Sequence, residues 1–148
     1  MTPQRITLSR AKGWRMPKNT VKVDRSTMYG NPWKAGSPGT IRLTLKNVTT
    51  DYHLPYDLTV DQAVEAYQYW LANASIYPRQ LPENLSEIGR ELAVEFLSWR
   101  RYEILKWLPL MKGWNLACWC KQGQPCHADT LLHLANVALT HNPYKVFP

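Results

Sequence analysis

The sequence predicts a single small α/β domain, Rossmann-like, with a mostly parallel sheet and flanking helices. Three observations carry this. Arg5–Ser9, Thr20–Val23 and Leu116–Cys120 read as short strands. Two segments lying between the second and third of these show helical spacing of their apolar residues. Leu116–Asn136, LACWCKQGQPCHADTLLHLAN, then reads as strand, loop and helix in one unit, the arrangement beside which open α/β sheets place their sites. A length of 148 residues with 45% hydrophobic content suits one domain, 1–148, with a sizeable core.

In chain order, RITLS (Arg5–Ser9) alternates apolar and polar side chains, as a half-buried strand does. The loop AKGWRMPKN that follows holds Lys12, Arg15 and Lys18 around Trp14. It reads either as a nucleic-acid contact or as a hydrophilic connection whose tryptophan packs inward. TVKV is the second strand. DRSTMYGNPW (Asp24–Trp33) must turn at Gly30, Asn31 and Pro32, because Gly and Asn tolerate positive φ and proline fixes its own. Arg25 beside that turn could hold a phosphate or carboxylate with its fork and the exposed amides; a plain structural turn is the alternative.

The segment 36–58 is the least regular and reads as a variable insert. Ile41, Leu43 and Leu45 alternate with Arg42, Thr44 and Lys46, which suggests an edge strand or a hairpin arm. Thr59 with Gln62 is a capping-box pattern opening a helix to about Asn73, with Val60, Val64, Tyr67 and Leu71 on its apolar face. Ser75–Asn84, with Pro78 and Pro82, is a loop. A second helix begins near Ser86, with Ile88, Leu92, Phe96 and Trp99 or Arg100 on one face, and Pro109 stops it. Its charges, Arg90, Glu91, Glu95, Arg100, Arg101 and Glu103, read as a solvated face. Gly113 turns the chain into the last strand. From His127, the residues Ala128, Leu131, Leu132, Ala135 and Leu139 share a helical face, and 141–148 reads as a surface tail.

The net charge of +7 favours anionic partners such as nucleotides or nucleic acid, although a basic surface is also simply soluble. Seven Trp and eight Tyr are many for this length; some belong to the core, and a few could line a binding surface, since flat rings stack on bases and sugars. No apolar run is long enough to span a bilayer, and MTPQRITLSR lacks the apolar core of a signal peptide. Three cysteines within nine positions are an odd set for disulfides. The expectation is a reduced cytoplasmic protein with no membrane partner.

Three readings compete for the cysteine cluster. In a nucleotide-handling site, Cys126 at a helix start is biased toward thiolate. His127 is then a general acid or base. Asp129 orients His127 or binds a sugar hydroxyl, unless it is an ordinary first-turn acid. In a zinc site, Cys118, Cys120, Cys126 and His127 form a legitimate ligand set, yet C-x-C-x5-C-H is no standard knuckle and adjacent Cys126 and His127 reach one ion only with strain. In a structural reading, buried free cysteine is a small hydrophobe, and Cys118 fits that description best.

CWC, a short loop with proline, and PCHADTLLHLAN resemble the signature of a family called domain of unknown function 4326, common in phages, prophages and bacteria. KGWRMPKNTVKVDR followed by YGNPW is similar to that family's N-terminal pattern, so the resemblance covers both ends of the chain around a variable middle. It implies motif positions at Arg25, Gly30, Asn31, Pro32, Cys118, Trp119, Cys120, Cys126, His127 and Asp129. It thereby raises the Gly30–Asn31 turn from punctuation to a site element. The strand–Cys-His–helix ending is also similar to a second family, domain of unknown function 488. There one cysteine ends the strand and Cys-His-Arg opens the helix; here Ala128 stands in place of that arginine. This similarity implies that Cys126 or His127, rather than all three thiols, carries the function.

The expected function is a nucleotide- or nucleic-acid-processing enzyme of phage or mobile-element type. Cys126, His127 and Asp129 form its reactive group, and Arg25, Gly30, Asn31 and Cys120 lie on the substrate side. The alternative is a non-catalytic nucleotide- or nucleic-acid-binding module stabilised by zinc.

Overall fold

The computed structural model describes residues 2–73 and 80–138. Most of the loop expected around Pro78, the helical Leu139 and the tail 141–148 lie outside the described residues. The protein is α/β, with two three-stranded sheets and, among the described residues, three α-helices. The chain divides into two compact units, one from its two ends (up to Gly30 and from Ile104) and one from Asn31–Glu103.

The first unit holds the parallel sheet. Strands β1 (Arg5–Thr7), β2 (Thr20–Lys22) and β6 (Asn115–Cys118) lie in the order β1-β6-β2, with Thr7 opposite Cys118 and Thr20 opposite Asn115. Leu116, Ala117 and Cys118 are all buried, as the centre of a parallel sheet requires. β6 ends two residues earlier than the sequence pattern suggests. Its partners run out: Leu8 N–H donates to Cys118 O and Val23 N–H to Ala117 O, so Trp119 and Cys120 leave the sheet. Gly113, at φ +83°, makes the turn into β6. Helix α3 (His127–His133) continues as a short π-helical stretch, Leu134–Ala138, and buries Ala128, Leu131, Leu134 and Ala135.

The second unit is where the expectation of a mostly parallel sheet fails. Strands β3 (Trp33–Lys34), β4 (Thr40–Leu45) and β5 (Val48–His53) form an antiparallel sheet. Lys46 and Asn47, at φ +50° and +66°, make the two-residue turn between β4 and β5, and a turn that short can join only antiparallel strands. Segment 36–58 is thus mainly a hairpin, closed at its base where the Gly36 and Leu58 amides donate to each other's carbonyls at 2.9 Å. Arg42, read as polar-face solvation, pairs across the hairpin with both carboxylate oxygens of Asp51 at 2.8 and 3.2 Å.

Helix α1 (Val60–Asn73) opens with the reciprocal capping box: Thr59 N–H donates to Gln62 Oε1 and Gln62 N–H to Thr59 Oγ1. Its buried face is Ala63, Ala66, Tyr67, Trp70 and Leu71; Val60 is exposed. The helix is turned to seat Trp70 edge-on against Trp33 and Tyr67, each with ring centroids 5.7 Å apart. Helix α2 (Glu87–Trp107) begins at Ser86, whose Oγ accepts from Gly89 N–H, and ends where Leu108–Met111 tightens around Pro109. It buries Ala93, Leu97, Arg101, Ile104 and Leu105, while Ile88 and Trp99 are exposed, so the apolar spacing read from the sequence names the wrong face.

Arg101 explains the rotation. Its Nε–H donates to the carbonyls of Trp70 and Leu71, at 3.1 and 2.9 Å. α1 has no basic residue in its own last turn, so a buried cation from α2 satisfies carbonyls that the helix end leaves without partners. Replacing Arg101 by methionine keeps much of the volume and removes the donor. The expected loss is about 2–3 kcal/mol of stability in urea denaturation, the range for hydrogen bonds from a charged group whose acceptors stay buried.

Candidate functional site

The site grows from the edge where the parallel strands end. Cys118 is the last residue of β6, Cys120 lies two residues beyond, and Cys126 precedes α3. Gly123, at φ +81°, bends the intervening loop. Arg5 braces it. The Arg5 side chain is 8% exposed; its Nη1 donates to Gln124 O at 2.8 Å and to Asp129 Oδ2 at 3.0 Å, and its Nη2 to Lys121 O at 3.0 Å. Thr7 Oγ1 adds a bond to Cys120 O. One guanidinium therefore ties strand, loop and helix, and at this edge the three sulfurs lie within 4.8 Å of one another.

Cys118 and Cys126 are 1% exposed and their Sγ atoms stand 2.8 Å apart, well beyond a disulfide bond; Cys120 is half-buried. The Cys120 sulfur accepts hydrogen bonds from Cys118 and Cys126 and feels the charges of His127 and Arg5, which together hold it far below the usual thiol range. The contact with Cys120 pushes Cys118 up to about 11, and those with Cys118 and then Cys120 raise Cys126, with burial adding in both cases. Of the three thiols, Cys120 is thus the one shifted toward thiolate.

His127 is buried. Its Nε2–H donates to Val23 O at 2.6 Å. A carbonyl only accepts, so the ring carries a proton on Nε2, and Nδ1 stands 3.8 Å from Cys126 Sγ. Burial lowers the imidazole's pKa; Arg25 lowers it further, while the bond to Val23 and the charges of Cys120 and Asp24 oppose this. The Asp24–Gly30 turn therefore lies beside the cysteine loop, as a site drawn from both chain ends requires. Asp24 is buried; its Oδ2 accepts from Trp119 Nε1 at 2.8 Å and its Oδ1 from Ser26 Oγ at 2.6 Å. Arg10 stacks on the Trp119 ring, 4.1 Å from its centroid, in cation–π geometry. Trp119 remains 40% exposed.

The sequence-predicted residues fall into two groups. Cys118, Cys120, Cys126, His127, Arg25 and Gly30 come together in the first unit. Gly30 is needed for close approach and not for positive φ: a Cβ there would meet Arg25 Cα at 2.5 Å and Asp24 O at 2.7 Å. Asn31 belongs to the second unit, where its amide donates to Ala63 O at 2.9 Å and its oxygen accepts from Trp33 N–H. Asp129 is engaged by Arg5. Sequence reasoning missed Arg5, Arg10 and Asp24. An arginine opening a strand, an arginine after one and an aspartate in a turn carry no spacing signal, and only the fold sets them against residues from the other end of the chain.

The family model for a domain of unknown function (DUF4326) matches residues 6–137. The chain belongs to that family. No curated protein and no solved structure matches it. The DUF4326 match runs from β1 to the π-helical end of α3, so it spans every cysteine and histidine gathered at this edge.

Two outcomes follow from this geometry. Gly30→Ala should cost about 1–3 kcal/mol in thermal or urea denaturation, because backbone and not a flexible side chain occupies the space. Asp24 titrates below its ordinary value of 3.8, since its bonds to Ser26 and Trp119 and the charge of Lys22 outweigh the opposing burial. A carboxylate with a depressed folded pKa contributes stability above its unfolded value, which is lost as pH falls through the folded one. The stability gap between wild type and Asp24→Asn should be full above about pH 5 and close on acidification below about pH 4, as read by denaturation across that range.

Proposed function

We propose that this DUF4326 member processes nucleotides or nucleic acid, with its chemical centre at the β6–α3 junction. The observation that carries the reading is the packing of the Asp24–Arg25 turn against the Cys–His loop, which sets a cation, an exposed tryptophan and an ionisable sulfur around one strand edge. A nucleotide needs these three things: a positive charge for phosphate, a ring for the base, and a reactive group near either. The net charge of +7 supports an anionic ligand. Lys12, Arg15 and Lys18 are exposed on the loop after β1 and Trp14 is half-buried, a composition suited to a phosphate backbone.

In this reading the first unit works as a Rossmann-like sheet does, with ligand bound outside the carboxyl ends of the parallel strands, next to a strand–loop–helix turn. Arg25 and Arg10 meet phosphate, and Trp119 meets the base. The Cys–His loop supplies the reactive group, with Cys120 as its accessible sulfur, Cys126 packed behind it, and His127 holding Val23 in place. Gly30 lets the turn close, and Asp129 holds Arg5 against the loop. The family's occurrence in phages and prophages, implied by the resemblance, suits an enzyme of phage or mobile-element type acting in the cytoplasm. No helix among the described residues is long and apolar enough to cross a membrane.

The test is a thermal-shift screen against nucleosides, nucleotides and short DNA and RNA. A specific ligand at a hundred times its Kd should stabilise the fold by about 2.7 kcal/mol, and Arg10→Ala with Arg25→Ala should abolish most of that shift. A nucleic-acid ligand should also bind with an affinity that falls steeply with salt. No shift with any nucleotide, together with no salt-dependent binding, ends the proposal.

A further inference from the structure

We infer that Cys118, Cys120 and Cys126 hold one zinc ion through three thiolates and leave its fourth coordination position open on the Cys120 side. This deepens the reading above and rests on it only for the nature of the fourth ligand, an oxygen of water or of phosphate.

The geometry is close to what the ion needs. With Zn–S bonds of about 2.3 Å, the sulfurs of a tetrahedral site stand about 3.8 Å apart. Here the three Sγ atoms all lie within 4.8 Å of one another, and the shortest pair, at 2.8 Å, would open by about 1 Å to take the ion. Sulfur ligands select borderline and soft ions such as zinc over magnesium or calcium. The sulfurs come from a strand end, a loop and the residue before a helix, a placement that packing of three small hydrophobes does not call for.

The surroundings suit the charge. Three thiolates and Zn2+ sum to one negative charge, and the guanidinium of Arg5, largely buried, lies across the same loop with three hydrogen bonds to it and to Asp129. The ligands' backbone is thus held by groups other than the ion, as an orienting outer layer should be.

His127 is not the fourth ligand. Its Nε2–H is committed to Val23 O, and although Nδ1 stands 3.8 Å from Cys126 Sγ, the histidine does not join the set of atoms mutually within 4.8 Å. Cys118 and Cys126 are buried while Cys120 is half-buried, so an incoming ligand reaches the ion past Cys120. Three protein ligands with one open position is the pattern of a zinc site that acts on a substrate; a closed four-ligand set is the pattern of a structural one.

The full chain, expressed with zinc supplementation and purified anaerobically without chelator, should carry roughly one zinc per chain by elemental analysis. Cobalt substitution should give thiolate-to-cobalt charge-transfer bands with the d–d bands of a tetrahedral site, and added azide or inorganic phosphate should shift the d–d bands. Cys118→Ala, Cys120→Ala and Cys126→Ala should each retain less than roughly a tenth of the metal. The wild-type cobalt spectrum keeps the proposal testable where a variant fails to fold. His127→Gln, folded by circular dichroism, should keep the zinc.

Metal-free folded protein, an octahedral cobalt spectrum, a Cys118–Cys126 disulfide in freshly isolated protein, or loss of zinc from folded His127→Gln would each overturn the assignment. So would d–d bands that azide and phosphate leave unmoved. Zinc without nucleotide binding leaves the site standing and removes the proposed function; nucleotide binding by a metal-free protein does the reverse.

Discussion

Residues Asn115–Cys118 are hydrogen-bonded on both sides, to β1 and to β2, and the arrangement of the first unit follows from that. A strand in the centre of a parallel sheet buries both faces, so Leu116, Ala117 and Cys118 have no solvent-facing alternative. Both neighbours stop within a residue or two of Cys118. The chain must leave there, and the residues that follow β2, Val23–Arg25, emerge beside the residues that follow β6. His127 and Trp119 meet that segment because the register of three short strands brings it to them, through bonds to Val23 O and Asp24 Oδ2.

Much of this was legible in the sequence, and the failures have physical causes. The strands β1, β2 and β6, the capping box at Thr59 and Gln62, the start of α2 at Ser86 and the stop at Pro109 all rest on local chemistry, which a sequence shows directly. The antiparallel sheet was half visible. β4 alternates cleanly, but β5 is Val48–His53, almost wholly exposed and without an apolar face. Its strand conformation comes from pairing with β4 and from a Lys46–Asn47 turn that lacks the glycine signal. The helix faces were misread because an amphipathic pattern says which residues are apolar, not which partner they meet. Trp70 must reach Trp33, and Arg101 must reach the end of α1.

The site divides in the same way. The cysteines, His127 and Arg25 carry their chemistry in their identity and were legible. Arg5 was not, because nothing in RITLS indicates that its first side chain reaches carbonyls of Lys121 and Gln124. The difference in exposure between Cys126, buried, and Cys120, half-buried, was likewise beyond the sequence, because the fold sets which sulfur solvent reaches.

The central place of β6 has a consequence for how the protein is made. During synthesis β1 and β2 leave the ribosome without the strand that belongs between them, and they have no partner until it arrives. The β4–β5 hairpin, by contrast, closes on a two-residue turn as soon as it emerges, because local contacts cost little chain entropy. The strands of the antiparallel half therefore all have their partners within reach while the parallel half is still open. Thr7 waits for Cys118 and Thr20 for Asn115, so the strand that closes the sheet also delivers the first of the cysteines, and the cluster comes together among the last events of folding.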